Sequence, residues 1–91
     1  MEVVNKFLRK KLKEKHGNEW DFGELMEDYA FCVDYFFYKI RNGEALTEEE
    51  AEDFRKNLIH FSKIAGIEFE DDEPLTEVLK KLSELAVVEM V

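Results

Sequence analysis

A chain of 91 residues with a net charge of −9 is long enough for one modest hydrophobic core and too short for two domains. Its one cysteine excludes an intrachain disulfide and points to a reducing cytoplasm, while no apolar run approaches the roughly 18 residues of a membrane span and the first residues do not read as a secretory signal. Residues 1–16 carry six basic and two acidic side chains, residues 17–91 seven and twenty, so a basic segment is joined to an acidic body that repels nucleic acid.

Four helices are expected in a single domain spanning 1–91, an all-α, bundle-like fold with a central aromatic helix. The first covers about 2–15, with Val4, Phe7, Leu8 and Leu12 as a narrow apolar stripe and Gly17 as its stop. Lys11 and Lys15 fall inside that stripe, which predicts shallow burial and loose packing, or packing across a dimer interface. On the opposite side Lys6, Arg9, Lys10 and Lys13 recur at the i, i+3, i+4, i+7 spacing that gathers them into one basic patch.

The second helix, about 22–41, has the best-specified start. Asp21 is placed as N-cap with Glu24 three residues on, and Trp20 can close on Leu25 as a hydrophobic staple. Asn42-Gly43 ends it. Its stretch from Tyr29 to Tyr38 holds half of the aromatic residues, and the helix is apolar on two sides. At about 100° per residue, Phe22, Leu25, Met26, Tyr29, Val33, Phe36, Phe37 and Ile40 share one face, and Phe31, Tyr35 and Tyr38 share the other. A small bundle needs only the first stripe. The second must be covered by the rest of the chain, by a second copy or by another protein.

The third helix, about 48–65, opens on a capping box of Thr47 and Glu50 and ends at Gly66; Ala51, Phe54, Leu58, Phe61 and Ala65 are its core face. Ile67 and Phe69 belong to an extended connector that plugs the base of the bundle. Pro74 then precedes a last helix over about 75–88, with Leu75, Val78, Leu79, Leu82, Leu85 and Ala86 as its stripe.

The eight residues from Asp53 to His60 resemble the arginine, four-to-six residues, histidine signature of the HEPN family, small helical domains that include metal-independent ribonucleases acting as dimers. The resemblance would give Arg55 and His60 the scissile phosphate and Lys56 or Asn57 the polar place after the arginine. Ser62 stands where some members carry a tyrosine.

No phosphate-binding glycine loop, paired-cysteine metal motif or activated-nucleophile arrangement is present, and the acidic run from Glu68 to Glu73 lacks the glycine and ligand spacing of a calcium loop. No metal, cofactor or enzymatic activity is therefore expected. Glutamine is absent while Glu and Lys are abundant, a bias of proteins from hot environments. The reading is a non-enzymatic interaction or regulatory module, homodimeric through Phe31, Tyr35 and Tyr38. The first alternative is a nucleic-acid-associated accessory protein using Lys6, Arg9, Lys10 and Lys13; the second is the HEPN-like ribonuclease.

Overall fold

The long aromatic helix expected over 22–41 forms, with one irregularity at its middle. A computed structural model describes residues 2–16 and 22–90 and gives α1 (Glu2–His16), α2 (Phe22–Tyr29), a π-helical turn (Ala30–Asp34), α3 (Tyr35–Arg41), α4 (Glu48–Ile64) and α5 (Leu75–Met90). Tyr29 and Tyr35, which flank the π turn, both keep right-handed helical dihedrals, so α2, the turn and α3 run on as one rod. Within the turn the Tyr35 N–H reaches the Ala30 carbonyl five residues back, the hydrogen bond that defines π geometry. The fold is all-α, four helical rods, and no strand occurs among the described residues. The Asp21 cap, the Trp20 staple and the Gly17 stop lie outside the described residues.

The core is aromatic at its centre. Tyr29 meets Phe61 edge-on at 5.4 Å between ring centroids, while Phe36 and Phe37 both pack on Phe54, at 5.4 and 5.0 Å. Offset and edge-on pairs of this kind contribute roughly 0.5–1.5 kcal/mol beyond the area they bury.

Packing of α1 differs from the expectation. Val4, Phe7, Leu8 and Leu12 are all buried, Leu8 and Leu12 completely, so the helix is a full member of the bundle within one chain. At roughly 1.5–3 kcal/mol for each large aliphatic side chain taken from water, that stripe anchors α1 firmly. Lysines within the stripe do not prevent this, because their stems lie along apolar surface while their ammonium groups reach out. Lys11 shows how: its ammonium sits 5.8 Å from the Phe7 ring centroid and pairs with Glu89 at 2.6 Å.

Both capping-box hydrogen bonds of α4 are present, from the Glu50 N–H to Thr47 Oγ1 and from the Thr47 N–H to Glu50 Oε1. The helix buries Phe54, Leu58, Ile59, Phe61 and Ser62. Gly66 then takes φ +87°, a left-handed conformation that disfavours any side chain. Residues 67–70 form no regular element, and Phe69 seals the base of the core with Ile67 half-buried beside it.

On α5, Val78, Leu82 and Ala86 are fully buried, but Leu85 is 41% exposed, against the expected stripe. Its side chain lies toward the 67–70 connector, where an open groove is lined by Ile67, Phe69, Leu85 and Val88.

Candidate interaction surface

Phe31, Tyr35 and Tyr38 point out from the rod, at 82%, 52% and 54% exposure. No other part of the described chain covers them, although the core face of the same rod is filled. The two tyrosines are nonetheless held in place. The Tyr35 ring meets Phe36 edge-on at 5.6 Å and lies under the Lys39 ammonium at 5.7 Å. Lys39 in turn pairs with Glu50 at 2.6 Å, which holds the Lys39 ammonium above its ordinary pKa and the Glu50 carboxyl below its own. The guanidinium of Arg41 stands 5.4 Å from the Tyr38 ring and pairs with Glu2 of α1 at 3.0 Å. Cations over aromatic faces add roughly 0.5–1 kcal/mol at exposed sites. Here they also fix the rings.

Beside Tyr38 an open groove of about 830 Å³ separates α1 from α3. Val3, Phe37, Tyr38 and Ile40 give it apolar walls, and Lys6, Arg9 and Arg41, with Glu2 paired to Arg41, give it a charged rim. Asn5 and Asp34 also line it, as members of a polar network that joins the two helices. The Tyr29 hydroxyl donates to Asn5 Oδ1 at 2.5 Å, Asn5 Nδ2 donates to Asp34 Oδ1 at 2.5 Å, and Arg9 Nη2 donates to Asp34 Oδ2 at 2.9 Å. Arg9 also stacks over the Tyr29 ring at 5.6 Å. Burial pushes the Tyr29 hydroxyl far above its ordinary pKa, so it serves this network as a neutral donor.

The basic patch of α1 is thereby partly spent within the molecule. Arg9, assigned from its spacing to the outward patch, turns to Asp34, and Lys10 lies 3.9 Å from Glu14 on its own helix. Lys6 and Lys13 remain exposed. Sequence reasoning missed Asn5, Asp34 and the groove. A tyrosine in an apolar stripe does signal that some partner must meet its hydroxyl, but nothing local to Tyr29 names Asn5.

Arg55 and His60 are not brought together. Arg55 donates to both carboxylate oxygens of Glu52, at 2.9 and 2.6 Å, and to the carbonyls of Asp71 and Glu73, at 2.8 and 3.1 Å. This side chain holds the connector onto α4. His60 is exposed and touches the Phe61 ring edge-on, and among the described residues no hydrogen bond, ion pair or ring contact joins it to Arg55. The acidic connector is likewise held by cations: Lys63 pairs with Asp71 at 2.7 Å and Lys81 pairs with Glu73. Cys32 is half-buried, and burial, then the charge of Asp28, raises its thiol pKa, which keeps the reactive thiolate scarce. Among the described residues no cluster of His, Cys, Asp and Glu is arranged to hold a metal ion, and no helix is long and apolar enough to cross a membrane.

No protein-family model matches this chain, and comparison with curated proteins and with solved structures finds no match to it.

Proposed function

We propose that this chain is a non-enzymatic interaction module of the reducing cytoplasm that works as a homodimer through Phe31, Tyr35 and Tyr38. The observation that carries the reading is the exposure of three large aromatic side chains on one side of a rod whose other side is a complete core. Apolar area of this kind marks contact surfaces when it is contiguous, and aromatic rings concentrate binding energy at little entropic cost. The cation-fixed tyrosines favour the same reading, since a preordered surface gives up less freedom on binding. A nucleic-acid role for Lys6, Arg9, Lys10 and Lys13 has less support, because Arg9 is engaged by Asp34 and the whole chain carries −9.

Light scattering on a sizing column at low and high salt tests the reading. A dimer that persists at high salt and is lost in Tyr35→Glu, with helical circular dichroism unchanged, is the expected result. A monomer at every accessible concentration overturns it.

A further inference from the structure

Phe31 and the groove between α1 and α3 are complementary features of one surface. Phe31 is the most exposed large hydrophobic side chain among the described residues, at 82%, and its neighbours Glu24, Glu27 and Asp28 are exposed carboxylates. The groove has apolar walls and a charged lining in which Lys6, Arg9 and Arg41 outnumber Glu2 and Asp34, in a chain that is otherwise acidic. An apolar knob with a negative collar therefore shares a rod with an apolar socket whose lining is positive by one charge. Tyr38, at the socket, is seven residues beyond Phe31, about 10 Å along the rod at helical rise.

We infer that the occupant of the groove is Phe31 of a second copy, inserted reciprocally, so that the two rods cross antiparallel about a two-fold axis beside Tyr35. The inference rests on the self-association proposed above and adds its symmetry and register. A two-fold contact is self-complementary: if Phe31 of one copy meets Tyr38 of the other, the reverse contact forms at once and the assembly closes. The axis must then fall midway between residues 31 and 38, where Tyr35 is the outward residue. In that arrangement Asp28 of each copy comes level with Arg41 of the other, with Glu27 one residue beyond. A parallel pairing would instead set carboxylates against carboxylates, which costs affinity.

Thiol cross-linking reads the register directly. In a Cys32→Ala background, Tyr35→Cys is expected to give a covalent dimer on mild oxidation. Phe31→Cys alone is expected to stay monomeric on a denaturing gel, and an equimolar mixture of Phe31→Cys with Tyr38→Cys to give the mixed covalent dimer. Circular dichroism of each variant checks the fold, and light scattering of the Cys32→Ala parent checks self-association. A dimeric parent with any other cross-linking pattern overturns the antiparallel register and leaves the contact face standing. A monomeric parent overturns both.

Discussion

Tyr29 and Asp34, five residues apart on one rod, converge on the same side chain: Asn5 accepts from the first and donates to the second. In a regular α-helix residues five apart project about 140° away from each other. The i→i+5 bonding of the Ala30–Asp34 turn stacks them instead, so both reach α1.

The network should therefore behave as a unit. Tyr29→Phe keeps the ring against Phe61 and deletes the hydroxyl, with an expected loss of about 1 kcal/mol in urea denaturation. Combined with Asp34→Asn, the two losses should couple by roughly 0.5–1.5 kcal/mol. Strict additivity would show that Asn5 does not link them.

Ser62 is fully buried on α4, and among the described residues its hydroxyl has no hydrogen-bond partner. Because an unpaired buried hydroxyl carries an uncompensated desolvation cost, Ser62→Ala is expected to stabilise the protein by up to about 1 kcal/mol. The check is a higher urea midpoint at unchanged slope; a lower midpoint would place an unseen partner on the hydroxyl.

Arg55→Ala should clearly lower the melting temperature, since four charge-assisted hydrogen bonds disappear and the Asp71 and Glu73 carbonyls lose their donor. Arg55→Lys should recover little of that loss, because an ammonium cannot supply the planar fork that meets Glu52 and two carbonyls together. Thermal melts of both variants decide this. Full rescue by lysine would mean that charge alone matters.

Stability should fall at both ends of the pH scale. Hydrogen bonds from Lys39, Arg55, Lys63 and Lys11 hold Glu50, Glu52, Asp71 and Glu89 below their ordinary pKa values. A depressed carboxyl contributes its stability above the unfolded pKa and loses it as pH falls through the folded one. Lys11, Lys39 and Lys81 are raised by Glu89, Glu50 and Glu73, so their contribution is full below the ordinary lysine pKa and is lost as pH rises through the folded value. The expected Tm is flat from about pH 6 to 9 and drops below about pH 4. Glu50→Gln should lower the plateau and make the acid limb shallower; an unchanged acid limb would remove Glu50 from the account.

Much of this architecture was legible from local chemistry. Thr47 with Glu50, and Gly66 with its positive φ, mark their helix ends by hydrogen bonds and backbone freedom that a few neighbouring residues decide. The two-sided aromatic rod was legible too, because alternation at helical spacing separates Phe31, Tyr35 and Tyr38 from Phe36 and Phe37. The π turn was not, since no residue between Ala30 and Asp34 demands an i→i+5 bond. The depth of α1 is not legible from its lysines, because a lysine stem and a lysine charge prefer different surroundings, as Lys11 on Phe7 and Glu89 makes plain. Helical angle alone does not place Leu85 and Arg9, because their surroundings come from segments remote in sequence. The groove beside Tyr38 has the same origin, in the meeting of α1 and α3.

The π turn also bears on how the chain can change in length. Such a turn holds one residue more than the α-helical turn it replaces, and Phe31 is its outward-facing member. Deleting Phe31 would leave Asp34 four residues after Tyr29, a spacing that an ordinary α-helix also brings together. Phe36 and Phe37 would keep their place on Phe54, and only the protruding ring would be gone. The same deletion within α4 would swing everything after it by about 100°. The outward ring thus sits where the rod can lose a residue and still present the same face to Phe54.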